Sequence, residues 1–295
     1  MSGRFRHASW GKIGLVTIVI LYILWSLAPV AIAFLFSFNA GYSRSTWQGF
    51  SMQWWTGPNS VFNLPIYTDA IRHSLLLAVL AVVITVPLGV SLSIFLSRWR
   101  GITARPASFL ATVPLVVPEL VLALALFFLV TKVNLPIISL GTSGQAVGQV
   151  TFILPLVIVI TIGRLSSIPT GFEEAAQDLG ASPLQSFRLV LVPLLQPAIL
   201  ASAIVAFAVS IDDFVITQYM SSTSSTQSVP MLIYTATRGG ATPALNAMAT
   251  VMAVTTIVIA AVGFAFYRLL ARREQIPALE GGQKPALAIP RQGAL

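Results

Sequence analysis

The sequence predicts an all-α integral membrane protein of six transmembrane helices in one domain, from its composition, its six apolar runs and the placement of its basic residues. Of 295 residues, 56% are hydrophobic and 9% charged, whereas soluble domains carry roughly 25% charged residues. Too little polar sequence lies between the runs for a separate globular domain. The formal charge of +8 sits in short clusters rather than on one basic face, which fits membrane topology and not a nucleic-acid partner. The absence of cysteine excludes a disulfide framework and a thiolate metal site, and His7 and His73 are too few for a histidine cluster.

A helix needs about 20 apolar residues to cross a hydrocarbon core of ~30 Å, at ~1.5 Å per residue. The runs 13–38, 74–97, 107–131, 146–163, 199–220 and 244–271 meet or approach that length. The first follows Arg4, Arg6 and Lys12 as a signal peptide would, but its apolar stretch exceeds the usual signal length, so it is expected to remain as helix one. Pro87-Leu88-Gly89 in the second run, and Pro114, Pro118 and Pro136 in and after the third, mark either bends that open a path or kinks that improve packing. The fourth is the weakest, being short and interrupted by Pro155.

Cytoplasmic loops are enriched in Lys and Arg. With the N-terminus inside, 13 of the 17 basic residues are cytoplasmic and only Arg44, Arg72, Lys132 and Arg238 lie outside, so both termini are expected in the cytoplasm. The expected organisation is a cytoplasmic N-terminus at 1–12, a membrane domain at 13–271 and a disordered cytoplasmic tail at 272–295 rich in Pro and Gly. The outer segment 39–71 holds Trp47, Trp54, Trp55 and Tyr67, expected as interfacial anchors or, alternatively, as ligand contacts.

Between the fourth and fifth runs, the cytoplasmic stretch 168–196 holds three of the nine acidic residues and reads as two short helices. Thr170 with Glu173 forms a capping box, and Glu173, Glu174 and Asp178 lie near the positive helix N-terminus. Gly180 is placed to stop that helix in a left-handed conformation, after which Ser182 caps a second helix that begins at Pro183. Ala175, Ala176, Gly180 and Ala181 leave one side thin enough for close approach by another surface.

The string Glu174-Ala175-Ala176, then Gly180, then Val190-Leu191-Val192-Pro193 resembles the EAA loop of ABC importer permeases. The family pattern is Glu-Ala-Ala, three residues, Gly, nine residues, Ile, any residue, Leu-Pro; the spacing matches throughout, with Val190 for Ile and Val192 for Leu. The resemblance implies the six-helix, MetI-like type I fold of a bacterial inner-membrane permease, with 168–196 as the coupling helix. It implies coupling roles for Glu173, Glu174, Ala175, Ala176, Asp178, Gly180 and Pro193. It further implies, as partners, a dimer of ATP-binding subunits, a second homologous permease and an extracytoplasmic solute-binding protein, all around the lipid bilayer. This chain has no Gly-x4-Gly-Lys-Ser/Thr phosphate loop. No cofactor is therefore expected in it, ATP and Mg belonging to the partner subunit, and it is not expected to be an enzyme.

Glu119 in the third run and Asp212 and Asp213 in the fifth lie within apolar sequence. Intramembrane charges cost at least ~2.5–3.5 kcal/mol by insertion scales, so they are functional candidates. On continuous helices Glu119 would lie mid-membrane, while Ser210, Asp213 and Thr217 would share one stripe, with Asp212 pointing away. Such a stripe suits either the wall of a path for cationic cargo or a structural role, as an ion pair or a carboxyl kept protonated; Lys132 and Arg72 are the nearest cations. The stretch 210–217 resembles the fifth-span signature of spermidine/putrescine importer permeases, as do Val229-Pro230-Met231-Leu232-Ile233-Tyr234, Arg238-Gly239-Gly240 and 242–247. Many relatives carry Glu where this chain has Ala244. The resemblance spans roughly 13–270 and implies polyamine cargo, with other amine, opine-like or amino-acid-like solutes open because the binding protein selects. Carboxylates with apolar or aromatic walls suit a polyamine's charges and flexible stem.

Two rivals remain. An intramembrane protease lacks a Gly-x-Ser-x-Gly elbow, and both histidines are read as outside the apolar cores, leaving no base for a serine. An ion-driven secondary transporter would use the carboxylates as a relay and need no ATPase.

Overall fold

The computed structural model describes residues 10–43, 46–99, 101–102, 104–133, 138–169, 171–239 and 242–274. The expected tail after Glu274, together with Thr170 and Pro136, lies outside the described residues. Regular structure among the described residues is helical, apart from one isolated antiparallel bridge between Asn39 and Phe50. That follows from the apolar runs, because a helix satisfies its own backbone polar groups where water is absent.

In chain order the helices are α1 (Trp10–Phe36), α2 (Gln53–Thr56), α3 (Pro65–Arg98), α4 (Ala104–Thr112), α5 (Glu119–Val133), α6 (Thr142–Leu165), α7 (Gly171–Asp178), α8 (Pro183–Ser186), α9 (Val192–Asp212), α10 (Val215–Tyr219), α11 (Val229–Gly239) and α12 (Pro243–Glu274). A single π turn, Phe187–Leu191, joins α8 to α9. Among the described residues, five helical stretches are long and apolar enough to cross a membrane, and α4 with α5 makes a sixth span if the bent pair counts as one.

The core is a three-helix packing of α3, α6 and α9. Gly89 lets α3 approach α6 closely, since a Cβ there would lie 2.5 Å from Val157 Cγ1. Ala81, Val86, Ile153, Val157 and Ala206 fill the seam. Outside it, α12 packs on α9 and α1 on α12. The described side chains of α1 are almost all exposed, as suits a helix facing lipid.

Three expectations need correction. The run 107–131 is not one rod, because α4 and α5 meet at 102°. Pro114 and Pro118 have no N–H to continue the ladder, and the residue before a proline is pushed out of helical geometry. The arithmetic that put Glu119 halfway along a helix therefore fails, and Glu119 opens α5 instead. The fifth run is also broken: α9 ends at Asp212, Asp213 is extended (φ −65°, ψ 115°), and α10 starts two residues later. Ser210, Asp213 and Thr217 consequently do not share a continuous helical stripe.

The third correction concerns the outer segment. Trp54 is only 2% exposed and its indole Nε1 donates to the Asn39 carbonyl at 2.7 Å, so it is a core residue rather than an interfacial anchor. Asn39 orders that loop by donating to the carbonyls of Ser43 (3.0 Å) and Thr46 (3.2 Å) while its Oδ1 accepts from Gln48 N–H at 2.7 Å. Tyr67 belongs to α3, which begins nine residues before the expected run. The weak fourth run is a full 24-residue helix, its apparent shortness coming from the polar first turn Thr142 to Gln145 and from Arg164 at the other end.

Candidate functional site

Two groups of expected residues cluster, one at the cytoplasmic loop and one where α5 and α10 meet. In the loop, α7 ends as anticipated. Gly180 has φ +91°, and the N–H groups of Ala181 and Gly180 bond the carbonyls of Ala176 (3.0 Å) and Gln177 (2.8 Å). This is the Schellman pattern, which favours glycine at the left-handed position. Ser182 then caps α8, its hydroxyl accepting from Gln185 N–H at 3.3 Å while Gln185 Oε1 accepts from Ser182 N–H at 2.8 Å.

Glu174, Ala175, Asp178, Gly180 and Pro193 are exposed and Ala176 is half-buried. Glu173 turns the other way: its carboxylate pairs with Arg98 in the last turn of α3. Its carbonyl also accepts the Ser186 hydroxyl at 3.4 Å. Around this turn Phe172, Leu179, Leu184 and Leu189 are exposed, Leu179 at 91%. The knuckle thus joins small residues to bare apolar ones. Arg98 and these leucines were not anticipated, although large apolar residues in so polar a stretch were a visible signal.

Glu119, Asp212 and Asp213 line one cavity of about 410 Å³ with Phe152, Phe214 and Val215. The breaks in spans three and five bring this about, since the first residue of α5 meets the linker between α9 and α10. Asp213 is 7% exposed, its Oδ1 accepts Ile216 N–H at 3.0 Å, and its Oδ2 has no hydrogen-bond partner among the described residues. Asp212 is exposed and also faces a groove of about 860 Å³ bounded by α1, α9, α11 and α12. Phe214 and Tyr234 line that groove with ring centroids 4.7 Å apart, and the Arg238 guanidinium sits 4.7 Å over the Tyr234 ring. Among the described residues, neither Arg72 nor Lys132 forms an ion pair with these carboxylates.

The hydroxyls expected in the path are used internally. Ser210 Oγ donates to Gln149 Oε1 at 2.6 Å, and Thr217 Oγ1 donates to the Asp213 carbonyl at 2.8 Å. His73, read from sequence as outside the apolar cores, is 7% exposed, with Nε2 2.7 Å from Gln145 Oε1. No serine hydroxyl is bonded to its Nε2 among the described residues. Gln145, Gln149 and His73 were missed as site residues; the signal was two glutamines four residues apart in an apolar run.

The profile of the family described as binding-protein-dependent transport system inner membrane component matches residues 86–276. The chain is 30% identical over 266 residues to the putrescine transport system permease protein PotI of Escherichia coli (strain K12), covering 88% of this chain and 92% of that protein. It is 32% identical over 231 residues to the spermidine/putrescine transport system permease protein PotC of Haemophilus influenzae, covering 78% and 87%. Its fold resembles a chain of a bacterial ABC transporter that imports the acidic polysaccharide alginate, with a TM-score of 0.69 at 14% identity over 90% and 96% of the two chains. It also resembles a chain of the MetNI methionine ABC transporter in an inward-facing conformation, with a TM-score of 0.54 at 20% identity over 69% and 93%.

Proposed function

We propose, from the premise that the chain belongs to the binding-protein-dependent transport system inner membrane component family, that it carries a polyamine such as putrescine or spermidine across the membrane. It is a multi-pass inner-membrane permease subunit of an ABC importer, and the hydrolysis of ATP resides in a separate subunit. In our reading both termini face the cytoplasm. The exposed knuckle of Glu174, Ala175, Gly180 and Leu179 docks into a cleft of the ATP-binding subunit. A second permease completes the path, and a solute-binding protein delivers the cargo.

One observation carries the cargo assignment: three carboxylates, those of Glu119, Asp212 and the nearly buried Asp213, line one cavity. Carboxylates gathered at one site repel one another unless a proton or a cation lies between them, and an ammonium group passing through supplies that cation. Phe214 beside Asp212 offers an aromatic and apolar wall to the same cation and its stem. The relatives PotI and PotC, named for putrescine and spermidine, support the same cargo.

The test is uptake by proteoliposomes holding the complete complex, with labelled putrescine, spermidine, an amino acid and a neutral sugar, each with its candidate binding protein. ATP-dependent accumulation of the polyamines alone is expected. Uptake of only the amino acid or sugar would remove the cargo assignment, and accumulation that persists without ATP would remove the importer mechanism.

A further inference from the structure

We infer that Gln145 and Gln149, one turn apart on α6, are the positioning residues of the transport site: they grip the two pieces of the broken fifth span and so set where Asp213 presents its carboxylate. The break creates the need. Where a helix stops inside the membrane, the carbonyls of its last turn lose their partners and water is not there to replace them. The Ser210 carbonyl, in the last turn of α9, keeps only a long bond from Asp213 N–H (3.4 Å); Gln149 Nε2 also donates to it at 3.2 Å, while Gln149 Oε1 accepts the hydroxyl of the same Ser210 at 2.6 Å. That grip is two-pronged and fixes the rotation of α9 three residues before Asp213. The Gln149 amide also lies beside the Asp213 carboxylate itself.

Gln145 does the same for the second piece. Its Nε2 donates to the carbonyls of Thr217 in α10 (2.8 Å) and of Thr226 in the following turn (2.9 Å). Both partners can only accept, so this end of the side chain must be the amide nitrogen. Its other end is then the oxygen, and His73 must donate to it from a protonated Nε2 at 2.7 Å. A chain of hydrogen bonds therefore runs from α3 through α6 to α10, all of it buried. Close packing locks the pair further, since a Cβ at Gly148 would lie 2.4 Å from Ile216 Cγ2.

The inference rests on the reading of Asp213 as a cargo contact in its transport arm alone. The wild-type chain has no cysteine, so a Val215→Cys thiol at the break reports local geometry without reference to cargo. In membranes holding the whole complex, Gln149→Met is expected to change the rate at which a cationic methanethiosulfonate modifies that thiol by at least fivefold. In the native background the same substitution should raise the KM for putrescine at least fivefold with maximal uptake within twofold. Gln149→Asn, which keeps both polar ends on a shorter stem, should recover part of both effects, and it replaces the methionine variant as the test should that variant fail to reach the membrane. Labelling and KM both unchanged would overturn the inference. Labelling altered with KM unchanged would uphold the positioning role and sink the cargo role of Asp213.

Discussion

Asp213 illustrates how one side chain can do two jobs at once. Its Oδ1 accepts the Ile216 amide where the chain leaves α9, while the residue also lines the cavity shared with Glu119. Asp213→Asn keeps an oxygen for the Ile216 amide and loses the charge, so the local fold should survive. A carboxylate–ammonium contact at about 4 Å and an effective dielectric of about 20 is worth about 4 kcal/mol before desolvation. With most of that lost again to desolvation, a drop in polyamine uptake of about tenfold is expected, corresponding to about 1.4 kcal/mol. Glu119→Gln should cost less, because Glu119 is the more exposed of the two. Initial uptake rates at matched protein levels check the order, and equal, unchanged rates in both variants would remove the electrostatic path. The acids themselves were legible in the sequence, as charges in apolar runs. The neighbours that hold them were not, because an amide that bonds its partners across 61 and 72 residues leaves no local pattern.

Among the elements, α3 carries two separate contacts. At Gly89 it meets α6 so closely that Gly89→Leu should overpack the seam, which typically costs about 1–3 kcal/mol. Gly163→Ala on α6, where a Cβ meets nothing within 4 Å, is the control. A lowered midpoint for thermal unfolding of the purified complex in the first variant and not the second is the expected result. At its cytoplasmic end α3 holds α7 through Arg98 and Glu173. The pair is half-exposed on the arginine side, where such bridges are worth about 0–1 kcal/mol. Stability should thus change little on Glu173→Lys. Glu174→Lys should instead weaken association with the ATP-binding subunit, measured by co-purification from membranes, and normal assembly and uptake in that variant would count against the docking role. Turn chemistry made this loop readable, since Gly180, Ser182 and Pro183 each specify local backbone geometry. The brace was hidden because Arg98 and Glu173 are 75 residues apart.

For the whole molecule, the orientation predicts that tags at both termini are protected from protease in intact spheroplasts and cut in inverted vesicles. Protection of only one would force a different number of crossings through the bent α4–α5 pair. Composition and apolar run length by themselves determined the membrane class and the existence of the five long apolar helices among the described residues, because lipid leaves a long apolar segment almost no choice but a helix. The cytoplasmic loop carried the resemblance that implied the family, and its turns were legible because its glycine, cap and proline act locally. Only the tertiary structure decided that spans three and five break, that Trp54 and His73 are buried, and that Glu119 and Asp213 share a cavity. Those outcomes depend on partners distant in the chain: a break within the membrane is tolerated only where another helix, here α6 with its two glutamines, bonds the backbone of the pieces on either side of it.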